Sequence, residues 1–140
     1  LEKNLAINQS SYIFQTLKKN NTNIIYNNGT KEKINQLKKK GVKLIKLEIK
    51  TKGFFDLRKV LKELYTLGCR NLLVEGGKTL TNNFLKDKLF NQFFLFQSNN
   101  KLGKNAKINV SRQLRQLTFK YKTKSKLNSF TGSDIVYLYS

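Results

Sequence analysis

The stretch Leu72-Leu73-Val74-Glu75-Gly76-Gly77-Lys78-Thr79-Leu80 sets an apolar run, a carboxylate, two glycines and the opening of a helical pattern in immediate succession. Leu72 to Val74 are too continuous for a strand with one wet face, so Leu72 to Glu75 is expected to be an interior parallel strand. Gly76 and Gly77 let the backbone turn, and Thr79 to Lys86 reads as a short helix. In open α/β sheets ligands sit beyond the carboxyl ends of strands, and a helix N-terminus offers unpaired N–H groups to phosphate. The segment is therefore a candidate anion cradle. A nucleotide P-loop is excluded although Gly77-Lys78-Thr79 imitates its end, because the spacing demands glycine at position 72, where Leu72 stands. A second reading of the same residues stays open with about equal weight. In it the glycines only make the turn and Glu75 is a strand-end carboxylate in water.

Working outward, Ile24-Ile25-Tyr26 is a short apolar strand, and Thr30 can cap a helix over Lys31 to Lys40 that Gly41 ends in the left-handed conformation. Val42 to Leu47 is a second short strand. Phe54, Leu57, Leu61, Leu64 and Tyr65, spaced by three and four, predict an amphipathic helix over Phe54 to Leu67, stopped by Gly68. Asn91 to Gln97 is an aromatic strand. Two alternating runs, Thr118 to Lys126 and Asp134 to Tyr139, form a closing hairpin around a turn near Thr131-Gly132-Ser133. The layout is α/β, with a mostly parallel sheet first, flanking helices, and an antiparallel C-terminal hairpin at its edge. Short connections argue for one sheet, in a single domain over residues 1–140.

Composition narrows the chemistry. With no His, imidazole bases and His metal sites are excluded. With one cysteine, Cys69, disulfide scaffolds and Cys-rich zinc sites go too, and no metal site is expected. Cys69 reads as a packed, inert thiol, since nothing nearby activates it except Arg70. No apolar run is long enough to span a membrane and no signal-peptide pattern opens the chain, so a cytoplasmic protein is expected. The formal charge of +20 invites a nucleic-acid reading. Yet 24 of the 28 basic residues are Lys and there are 17 Asn, a skew that marks a genome-wide bias rather than a tuned surface. Specific base readout leans on Arg forks, and Arg58, Arg70, Arg112 and Arg115 form no cluster in sequence. Phe93, Phe94 and Phe96 suit a sheet core better than a stacking platform. Asp56 and Glu63, seven apart on one helix face, read as surface partners of Lys59 and Lys62.

The run Leu67-Gly68-Cys69-Arg70-Asn71-Leu72-Leu73-Val74-Glu75-Gly76-Gly77, followed by Thr79-Leu80, Phe84-Leu85 and Leu89, resembles the reductase domain of the bifunctional riboflavin-biosynthesis deaminase/reductase family. The likeness extends through Phe93 to Phe96 and Leu102-Gly103, and weakly back to Leu1-Glu2-Lys3-Asn4-Leu5, which stands where the family has a strand end and a turn. Asn91-Gln92 replaces an acidic pair usual in the family, and Asn99-Asn100-Lys101 stands where it has Pro.

The resemblance implies a dihydrofolate-reductase-like fold. It also implies NADPH-dependent reduction of the opened phosphoribosyl group of 5-amino-6-(5-phosphoribosylamino)uracil to a ribityl group. By position it makes Glu75 the substrate-contacting carboxylate, and makes Gly77, Lys78, Thr79, Leu80, Thr81, Asn82 and Asn83 the cofactor-contacting segment. In that register the chain would start partway into the domain, as its opening Leu1 and lack of Met also suggest, and the zinc deaminase domain would be absent from it. A lost opening strand would leave apolar surface uncovered, so a homo-oligomer or a loose chain start is expected. The competing reading from another class is a basic nucleic-acid-binding module without catalysis.

Overall fold

Ile24, Ile25 and Tyr26 are all buried, so both faces of this short strand are covered. That is the pattern of a central parallel strand. The computed structural model describes residues 1–8, 10–17, 21–49, 53–100, 112–120, 124–127 and 134–140. Contacts divide the chain into two units, Leu1–Arg70 and Asn71–Ser140.

In the first unit, α1 (Tyr12–Gln15) precedes β1 (Asn23–Tyr26), α2 (Lys31–Lys39), β2 (Lys43–Lys46) and α3 (Leu57–Thr66). β1 and β2 pair in parallel, with Ile24 opposite Leu44 and Ile25 opposite Ile45. On the other side of β1 the Glu2 amide donates to the Ile25 carbonyl at 2.9 Å, and Glu2 forms a parallel bridge with Tyr26. The Lys3 carbonyl accepts from the amides of Asn27 and Asn28. The start of the chain is thus a strand end held beside β1, rather than loose. Leu5 follows in the left-handed region (φ 51°) and is buried with Ile24, Tyr26, Leu37 and Val42 in the core of this unit.

Helix boundaries follow their caps. Thr30 accepts the Lys33 amide through its side chain (3.3 Å), and Gly41 (φ 86°) follows the end of α2 as expected. Asp56, on the face where it is expected to partner Lys59 and Lys62, is the N-cap of α3, accepting the Arg58 amide at 3.0 Å. That cap is why α3 starts at Leu57 and not at Phe54. Gly68 (φ 90°) ends it, with amides of Gly68 and Cys69 donating back to the carbonyls of Tyr65 and Leu64. Arg70 donates to the Tyr65 carbonyl at 2.8 Å and lies 4.1 Å over the Tyr65 ring, so its charge serves the carboxyl end of α3.

One pH effect follows at α2. Its own backbone N–H and then the Thr30 hydroxyl hold the Glu32 carboxyl below the usual carboxylate range. A lowered folded-state pKa contributes stability that is complete above the ordinary carboxylate value and is lost as pH falls through the lowered one. Thr30→Ala should cost about 1 kcal/mol in urea unfolding, the usual worth of an N-cap. It should also move the Glu32 titration upward in a carboxyl-detected NMR series.

The second unit holds α4 (Lys78–Asp87), β3 (Phe93–Gln97), α5 (Arg112–Lys120), β4 (Lys124–Leu127) and β5 (Ile135–Tyr139). Its sheet has the order β3-β5-β4 and is antiparallel throughout, so the C-terminal hairpin is borne out. Among the described residues the strands form two separate sheets, not one. α4 packs against α5, and Leu85, Leu117 and Tyr139 form the core with Phe90, Phe93, Leu95, Leu114 and Tyr137 around them. Phe93 meets Phe90 and Tyr139 edge-on, at centroid distances of 5.8 and 6.5 Å.

Two expectations fail here. Thr118 to Lys120 belongs to α5, not to a strand. Phe119 stays exposed, whereas Leu114 and Leu117, three apart, reach the core. More consequentially, Leu72 to Glu75 lies outside both sheets, with Leu72 45% and Leu73 80% exposed. An apolar run becomes an interior strand only when neighbours pair with both its edges and cover both its faces, and the described residues supply no such pair. The expected turn at Thr131-Gly132-Ser133 and the Leu102-Gly103 loop lie outside the described residues.

Candidate functional site

Gly76 and Gly77 lead from the extended segment directly into α4, and neither has a positive φ. The glycines therefore do not serve a left-handed turn. At Gly76 the reason is close approach, because a Cβ there would stand 2.7 Å from Leu80 Cδ2 and 3.1 Å from Leu80 Cβ. At Gly77, the N-cap (φ −67°, ψ 173°), a Cβ would meet nothing within 4 Å. The space beside the first residue of the helix start is open.

Glycine brings no capping side chain, and the first helical bond is that of the Thr81 amide to the Gly77 carbonyl at 3.2 Å. The amides of Lys78, Thr79 and Leu80 precede that bond and point out of the helix end, where the macrodipole adds partial positive charge. Lys78 and Thr79 are exposed, bringing an ammonium and a hydroxyl to the same end. Leu80 contributes its amide only, since its side chain packs over Gly76. Thr81 turns its hydroxyl back to the Gly76 carbonyl at 3.2 Å. Asn82 and Asn83 are half-buried about one turn, some 5–6 Å, further along the axis, beside the cradle rather than in it. Glu75 is exposed immediately before the glycine pair. The structure thus sets Gly77 to Leu80 at one helix end with an open position at Gly77, leaves Glu75 exposed two residues before it, and ties Thr81 back to the Gly76 carbonyl. The Thr81 bond had only a faint signal in the sequence, a threonine five residues after a glycine that opens a helix.

The other candidates resolve simply. Among the described residues no group of three or more His, Cys, Asp or Glu side chains could hold a metal ion, and no helix is long and apolar enough to cross a membrane. Cys69 is half-buried. Phe93 faces the core, but Phe94 and Phe96 are exposed on the opposite face of the sheet. Their registered neighbours there are Leu138, Ser125, Val136 and Leu127, mostly apolar and without a lysine, while Lys126 pairs on the core-facing side.

A mixed α/β chain with a bare glycine turn running into a helix is the class of scaffold that fold and site define. Residues 2–135 match the family model of the RibD C-terminal domain, and the chain belongs to that family. The expected α/β, dihydrofolate-reductase-like fold class stands with it. Riboflavin biosynthesis protein RibD of Aquifex aeolicus (strain VF5) is 32% identical over 105 residues, covering 75% of this chain and 28% of that protein. The chain accordingly spans little more than a quarter of the length of the curated relative it matches.

Proposed function

We propose that this chain is the reductase part of a riboflavin-biosynthesis enzyme. In this reading it uses NADPH to reduce the opened phosphoribosyl group of 5-amino-6-(5-phosphoribosylamino)uracil to ribityl. Family membership and the name of the Aquifex relative support the pathway. The observation that carries the chemistry is the open position at Gly77, at the amino end of α4 and two residues after Glu75.

The residues fit a pyrophosphate-bearing cofactor. The amides of Gly77 to Leu80 and the Thr79 hydroxyl donate to phosphate oxygens, and Lys78 adds a full positive charge. The Glu75 carboxylate accepts hydrogen bonds from ribose hydroxyls or pyrimidine N–H groups, holding the substrate without itself exchanging a proton. NADPH, when bound, supplies the hydride; the chain orients and desolvates the two partners. The same proposal includes a cytoplasmic setting and self-association, the latter supported by the exposed Leu72, Leu73 and Phe96.

The deciding experiment follows NADPH absorbance on addition of the deaminated phosphoribosylaminouracil, with the ribityl product identified by mass. Substrate-dependent NADPH oxidation is expected. Nucleic-acid binding with no NADPH binding would replace this reading with the basic-module one.

A further inference from the structure

We infer that Thr81 is a positioning residue, which aims the Gly77 N–H at the anionic group received by the α4 end. The inference rests on the cofactor reading above. Thr81 holds both peptides ahead of the helix, its hydroxyl donating to the Gly76 carbonyl and its amide to the Gly77 carbonyl, each at 3.2 Å. A trans peptide is planar, with its C=O and N–H pointing in opposite directions, and the described chain has no cis peptide. Drawing the Gly76 oxygen back toward Thr81 therefore turns the N–H of the same peptide, on Gly77, away from the helix. It turns toward the side where a Cβ on Gly77 would meet nothing within 4 Å.

Leu80 packs against Gly76, its Cδ2 lying 2.7 Å from where a Gly76 Cβ would stand. A peptide between two glycines has few steric limits of its own, so its orientation has to come from outside the dipeptide. The Thr81 hydroxyl supplies it. Thr81 thus acts on the ligand through Gly77, not by touching it.

The test compares the protein with its Thr81→Val and Thr81→Ser variants by NADPH titration, and records the Gly77 amide resonance and exchange rate without ligand. Val keeps the shape and removes the donor; Ser keeps the donor. NADPH affinity should fall roughly three- to tenfold in Thr81→Val, part of the worth of one charged hydrogen bond, and Thr81→Ser should retain it. The Gly77 amide should shift and exchange faster only in the Val variant. Unchanged affinity in Thr81→Val, or an equal loss in Thr81→Ser, overturns the inference. If Thr81→Val does not fold, Thr81→Ala takes its place in the same comparison. Should the unaltered protein bind no NADPH, the cofactor reading falls by itself. The Gly77 amide then decides the positioning, and an undisturbed resonance in Thr81→Val overturns it.

Discussion

Glu75→Gln is expected to lower the specificity constant for the pyrimidine substrate by about ten- to hundred-fold, with NADPH affinity nearly unchanged. The scale follows from a charged hydrogen bond, worth roughly 1.5–3 kcal/mol, lost at the proposed substrate contact. Gln preserves size and one acceptor oxygen, so the loss isolates the charge. Glu75 is exposed, and its replacement should leave the unfolding midpoint in place. Steady-state reduction at matched folded fraction, alongside NADPH titration, separates the two effects. A specificity constant equal to that of the unaltered protein would return Glu75 to the role of a solvated carboxylate.

The second large effect is expected at Gly77, in the opposite sense. Gly77→Val should weaken NADPH binding by at least about tenfold, because a branched side chain would enter the space that the proposed cofactor's phosphates would need beside the helix amides. The fold itself has room for it: a Cβ there meets nothing within 4 Å, and φ −67°, ψ 173° is open to any residue. The stability cost should stay near that of exchanging an N-cap glycine for an apolar residue, about 1 kcal/mol or less. Gly76→Ala is the internal contrast. Its methyl would press on Leu80 at 2.7 Å, so it should lower the thermal midpoint whether or not cofactor is present. If Gly77→Val lost stability and kept its affinity, the glycine would serve the backbone alone.

The contrast between neighbouring glycines shows where sequence reading reaches its limit. That Gly76-Gly77 precedes a helix was legible from the pattern, as were Thr30 at the start of α2 and Gly41 and Gly68 after α2 and α3, because such signals act within a few residues. That Gly76 faces Leu80 and Gly77 faces open space is a matter of side-chain direction, which spacing does not carry. The strand at Leu72 to Glu75 was misjudged for a related reason. Continuous apolar character states what the segment needs, whereas pairing depends on partners elsewhere. Ile24 to Tyr26 has the same character and does find neighbours on both edges, in β2 and the Glu2 segment. α5 was missed because Lys and aromatic residues alternate by composition around Phe119, concealing the three-residue step from Leu114 to Leu117.

The exposed Leu72-Leu73-Val74 run also bears on how the protein behaves as a colloid. Three adjacent apolar side chains on an irregular backbone form an adhesive spot, bracketed by Arg70 on one side and by Glu75 and Lys78 on the other. A formal charge of +20 keeps copies apart at low ionic strength, where their fields reach across tens of ångströms. Near physiological salt the screening length contracts to about 8 Å, and the same spot can meet its counterpart before repulsion is felt. On the proposed self-association, added salt is expected to act in the sense opposite to its usual effect on an ion-paired interface, favouring association by screening the lysines.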